Sequence, residues 1–156
     1  KILILAGNDA HGNFNVMRQI QKPFTKLFAS DKQVFGRMHT VFHYRNNDPI
    51  AGIKNGEMIV SNGPFINFWI KAEAKEFRIG ANCSSNFALL FFQVATAKEF
   101  GEITKLRLFL GKEDGEQVIE DPQNELEIDL KDILYLRMSI ETQKKFVAFT
   151  NPIFKI

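Results

Sequence analysis

The sequence predicts a mainly β protein, an antiparallel β-sandwich preceded by an α/β stretch. Three observations predict it. From residue 57 onward, short β-branched and aromatic runs recur at near-regular spacing between turn residues, as in a sandwich. Two runs alternate cleanly: Leu126, Ile128 and Leu130 against Glu125, Glu127 and Asp129, then Leu134, Leu136, Met138 and Ile140 against Arg137, Ser139 and Glu141. Such alternation means one buried and one solvated face, the mark of an antiparallel sheet. Before residue 57 the pattern is strand, helix, strand, helix, as at the end of an α/β domain.

In chain order, residues 1–6 form a continuous apolar run that reads as a buried, parallel-type strand. A polar loop with two glycines follows over 7–13. Residues 15–29 read as helical in part, interrupted by Pro23. Residues 34–44 are β-branched and aromatic and read as a strand. Asp48 is a good N-cap, Pro49 suits the first helical position and Gly56 is a natural stop, so a short helix lies between them. Strands are then expected at 57–61 and 65–72 around the turn Asn62-Gly63-Pro64. Further strands fall at 87–97, 103–110, 117–120, 125–130, 134–141 and 145–150, with a loop at 111–115. The expected boundary lies between residues 1–61 and 62–156.

Composition bounds the function classes. The 156 residues are 45% hydrophobic and 24% charged, with a net charge of +2, which excludes a disordered tail and gives no reason to expect nucleic acid. One cysteine excludes an internal disulfide framework and a multi-cysteine zinc ribbon. No apolar run reaches the ~18 residues of a membrane-spanning helix, so no membrane partner is expected. The 16 phenylalanines, against two tyrosines and one tryptophan, predict a heavily aromatic core. The chain opens at Lys1, without methionine and inside an apolar run, and reads as the C-terminal piece of a longer protein. The compartment stays open, because a piece carries no information on a leader.

The residue pattern with most chemical content is Asp9-Ala10-His11, directly after a predicted strand, where α/β enzymes hold their chemistry. A carboxylate and an imidazole two positions apart are good ligands for zinc, iron or manganese. Two ligands do not close a catalytic site, and on the bare pattern a turn with a helix cap is the commoner explanation. Other landmarks lie further along: Met38-His39-Thr40-Val41-Phe42-His43, Ile50–Phe65 (IAGIKNGEMIVSNGPF) and Phe149–Phe154 (FTNPIF).

With Ala6–Gly12 (AGNDAHG), these landmarks resemble the C-terminal part of the PHP metallohydrolases, in particular the carbaryl-hydrolase-like branch. AGNDAHG resembles the family's last metal-binding motif, NGPF its turn after the helix and strand, and TNPI-aromatic its closing signature. One departure is that methionine and histidine precede Thr40 where the branch has arginine. The resemblance implies that residues 1–61 are the last strand–helix units of a PHP-type barrel. It also implies a metal centre with Asp9 and His11 among its ligands, binding divalent zinc, iron or manganese. The metals would activate a hydroxide for attack on a small phosphate, carbamate or carboxyl ester. The family's early His-x-His motif is absent, so the chain alone carries an incomplete site and is expected to be inactive. Its partner would be the upstream part of the same protein, with a homodimer as a further possibility.

Asn8, Asn13 and Asn15 crowd the loop, and Asn8 or Asn13 could hydrogen-bond a bound oxyanion, although asparagine is also a common turn residue. Arg18, six residues beyond the loop, could pair with an anionic substrate group, although a solvated arginine is the commoner case. His39 and His43 would share a metal only on a helix. On a strand they stand about 13 Å apart, which leaves His43 as a substrate contact at a site rim or a strand-surface residue. Cys83 has no histidine near it in sequence and reads as a plain thiol. Asn82-Cys83-Ser84 fits a glycosylation sequon but is discounted on the family resemblance. Trp69 reads as core, with stacking on a sugar as the alternative. The second function class is therefore a stand-alone β-sandwich module binding carbohydrate or protein.

Overall fold

A computed structural model describes residues 3–6, 38–42 and 48–156. The chain there is mainly β, in two sheets whose inner faces share one hydrophobic core. The strands are β1 (His39–Phe42), β2 (Met58–Ser61), β3 (Phe65–Ala72), β4 (Lys75–Arg78), β5 (Asn82–Cys83) and β6 (Phe87–Ala95). They continue with β7 (Ile103–Lys112), β8 (Gly115–Glu120), β9 (Leu126–Asp129), β10 (Tyr135–Thr142), β11 (Val147–Thr150) and β12 (Ile153–Lys155). The helix α1 (Pro49–Asn55) has the expected caps: the Asp48 carboxylate accepts from the amides of Ile50 and Ala51, and Gly56 closes it at φ 77°. Gly56 is needed twice over, because a Cβ there would stand 2.5 Å from a methyl of Leu3.

The smaller sheet runs β4-β3-β6-β9, antiparallel throughout. The larger sheet holds β1-β2-β11-β10, and β10 is its hub. One edge of β10 pairs along its length with β7, which pairs with β8. The other edge pairs first with β11 and then with β12, so these two strands lie end to end. Asn151-Pro152 interrupts them, since proline has no N–H for the ladder. β12 pairs with β5 in parallel. β1 and β2 join the same sheet through β11.

The core follows the alternation. Ile66, Phe68, Ile70 and Leu90 from the smaller sheet meet Leu108, Leu136, Met138 and Ile140 from the larger one, all fully buried. Leu130 is also fully buried, whereas Leu134, expected inside, is exposed because it lies one residue before β10 begins. Trp69, expected in the core, instead lies on the outer face of β3, since its in-sheet neighbours Phe68 and Ile70 take the inward positions.

Residues 3–6 differ from their expected role as a buried strand. They belong to no sheet, and Ile4 and Leu5 are 44% and 60% exposed. Their backbone amides find side-chain acceptors instead of a neighbouring strand. Three strands were not expected: β4, β5 and β12. Among the described residues no helix is long and apolar enough to cross a membrane.

Candidate functional site

Asp9, His11, Asn8, Asn13, Arg18 and His43 all lie outside the described residues. What the structure does describe is residues 3–6, which lead into the first two. Ile4 N donates to Asn151 Oδ1 at 2.7 Å. Ala6 N donates to Thr40 Oγ1 at 2.9 Å, and the same hydroxyl donates back to Ala6 O at 3.0 Å. Leu3 packs on Gly56. The chain is thus held at three successive points, the last of them three residues before Asp9.

Each anchor is explained by its own strand. Thr40 sits on β1, in register with Val60. Asn151 occupies the interruption between β11 and β12. There its amide donates to Met58 O at 3.0 Å while its side chain, 1% exposed, is free of the ladder. Accepting from Ile4 N identifies the oxygen of the carboxamide, which leaves Nδ2 buried without a partner among the described residues. The turn before β3 is clamped as well. Ser61 Oγ accepts from Gly63 N and donates to Pro64 O, and Asn62 Oδ1 accepts from Val147 N at 2.6 Å. Asn62 and Asn151 therefore tie the NGPF and TNPI stretches into the same part of the large sheet.

His39 opens strand β1 (His39–Phe42), as expected, so it does not lie on a helix; His43 lies outside the described residues. Among the described residues no three His, Cys, Asp or Glu side chains are grouped to hold a metal ion. Cys83 is buried and unpaired, in keeping with a plain thiol.

Two further surfaces were missed from the sequence. On the outer face of the large sheet, Arg137 makes a two-pronged ion pair with Glu116, Nε to Oε1 at 2.7 Å and Nη2 to Oε2 at 2.6 Å. Tyr135 Oη donates to the same carboxylate at 2.7 Å, and the guanidinium lies 3.9 Å from the Phe109 ring centre. The Arg137 hydrogen bond holds the Glu116 carboxyl below its ordinary range, and the Glu116 carboxylate pushes the Tyr135 hydroxyl up. Tyr135 Oη, Arg137 Nε and Arg137 Nη2 all donate to the one Glu116 carboxylate, so the cluster reads as a brace across β7, β8 and β10. Outward positions on adjacent strands were the available signal.

The second is the outer face of the smaller sheet. Trp69 and Phe91, directly opposite on β3 and β6, lie nearly parallel with ring centres 5.8 Å apart. Lys71 and Arg78 approach these rings, and Lys131 approaches Phe87.

No family model, curated protein or solved structure matches the chain. The functional reading therefore rests on its own residues and their placement.

Proposed function

We propose that this chain is the C-terminal part of a PHP-type metal-dependent hydrolase. In this reading, residues 1–61 come from the last strand–helix units of the catalytic domain and contribute β1 and β2 to the large sheet, and 62–156 form the accessory β domain on which they pack. Asp9 and His11 are ligands to a divalent metal. Asn8 and Asn13, with Arg18 after them and His43 after β1, are substrate contacts. A carboxylate with an imidazole suits zinc, iron or manganese, and the metal supplies an activated water for attack on a small ester. The remaining ligands come from the upstream part of the protein, so the chain alone does not turn over substrate.

The observation that carries this reading is the convergence of the four stretches that bear the resemblance. Asn151 of TNPI holds Ile4, Thr40 holds Ala6, and Gly56, between the helix and the strand leading to NGPF, receives Leu3. All three fix the segment that leads into Asp9-Ala10-His11. Stretches spread over the whole chain thus meet at residues 3–6, and that supports the reading. Metal sites need such support, because ligands are held by the shell around them.

The test is equilibrium dialysis of the purified chain against zinc or manganese, read by elemental mass spectrometry with no desalting step, because an incomplete ligand set holds metal only weakly. Asp9→Ala/His11→Ala serves as the comparison. Metal retained by the wild type and lost in the double variant is expected. Equal metal in both, or none in either, overturns the assignment of these two ligands.

A further inference from the structure

We infer that the outer face of the smaller sheet is a binding surface for a neutral glycan chain. The inference rests on the two-sheet fold and stands or falls independently of the hydrolase reading.

The face presents aromatic rings at three levels along the strands. Phe65 is at one end, Trp69 with Phe91 in the middle, and Phe87 at the other end. Phe65 and Phe87 are 42% and 60% exposed. At about 3.3 Å per residue, the levels are about 13 Å apart, so only an elongated ligand touches all three. Between the first two levels stand Asn67 and Gln93, opposite each other, and among the described residues neither side-chain amide has a hydrogen-bond partner. The strip therefore alternates apolar rings with open donors and acceptors. A sugar chain offers the matching alternation of C–H faces and hydroxyl groups.

Charge and shape select among ligands. Lys71, Arg78 and Lys131 are matched on this side by Glu76, Glu127 and Asp129, with Arg78 paired to Glu76 and Lys131 Nζ 4.0 Å from Asp129 Oδ2. A balanced face gives no electrostatic gain to a polyanion. An extended peptide is taken up along a sheet edge through its backbone, not across a face. At the Phe65 end the strip runs into a cleft of about 280 Å³ with Phe65, Asn67 and Arg78 in its wall. A concave end favours a ligand that enters it over a second flat sheet. Lys71 and Arg78 are long enough to move off the rings and donate to hydroxyls.

The test is affinity electrophoresis in gels containing amylose, mixed-linkage β-glucan, galactomannan or, as the anionic control, polygalacturonate. Trp69 is the only tryptophan, so its emission reports binding at this face directly. Retardation in at least one neutral gel is expected, with a change in emission on adding the matching oligosaccharide. Trp69→Ala and the surface variant Asn67→Ala/Gln93→Ala should each weaken it about tenfold. The second variant removes no buried group, so it keeps the fold. Mobility unchanged in every neutral gel overturns the inference. So does retardation confined to polygalacturonate, or retardation that survives the Asn67/Gln93 substitutions. Sedimentation showing a dimer that Phe87→Asp dissociates would assign the face to a second copy, and also overturns it.

Discussion

Replacing Asn151 by alanine tests whether the segment before the Asp-x-His loop is held as one unit. The substitution removes the acceptor for Ile4 N in a buried position. An amide left without its partner costs about 1–3 kcal/mol. Loss of the unpaired Nδ2 returns a little of this, so a net cost of about 2 kcal/mol is expected. For a chain of this size that lowers Tm by about 4–8 °C. Thr40→Val keeps the side-chain shape but removes both bonds to Ala6, at about 1 kcal/mol because the site is partly open to water. The informative quantity is the double variant. If residues 3–6 detach once either anchor is lost, the second substitution costs less than it does alone, and the coupling is about 0.5–1 kcal/mol. Urea unfolding of the four proteins measures it. Costs that add to within about 0.3 kcal/mol, or an Asn151→Ala cost below about 0.5 kcal/mol, would refute the idea of a common anchor.

Other consequences follow from the same geometry. Glu73 and Ala74, which join β3 to β4, both have positive φ, so Ala74→Gly should stabilise the protein by about 0.5–1 kcal/mol, read as a rise in urea midpoint. Gly111→Ala should destabilise, because its Cβ would stand 2.2 Å from the Tyr135 ring; thermal unfolding measures the loss, and weakened Tyr135–Glu116 contact is the expected cause. Glu116→Gln should cost about 1 kcal/mol near pH 7. Because the folded-state carboxyl titrates below its unfolded value, that difference is present above the ordinary carboxylate pKa and disappears as pH falls through the folded one. Denaturant melts of wild type and variant between pH 7 and 3 follow the gap as it closes.

Much of the fold was legible because the local signals agreed with the tertiary need. The Asp48, Pro49 and Gly56 signals delimit α1, and the 65–72 run is β3 from end to end. Alternation placed Ile128, Leu130, Leu136, Met138 and Ile140 inside. β4 was missed because its turn, Glu73-Ala74, lacks the Asn or Gly that usually marks two successive positive φ values, and its Lys-Glu-Phe-Arg reads as solvated charge. β12 was hidden within the TNPI stretch, where proline argues against a strand but stands just before it. Trp69 was misplaced because aromatic character does not say which of two alternating faces a residue takes; its neighbours Phe68 and Ile70 decide that. Of the candidate site, the sequence offers the proposed ligands Asp9 and His11 but not the contacts of the segment before them. Nothing local links Asn151 to Ile4, since the contact spans nearly the whole chain.

The most direct test of the metal reading is to add manganese to isotope-labelled protein and follow the amide signals. Ala6 lies three residues from Asp9 and is bonded to Thr40. A paramagnetic ion on Asp9 and His11 should broaden the signals of Ala6 and Thr40 first and leave those of β6 and β9 sharp. The effect should vanish in Asp9→Ala/His11→Ala. Broadening that is uniform, that centres on the carboxylates of β9, or that persists unchanged in the double variant would contradict the account.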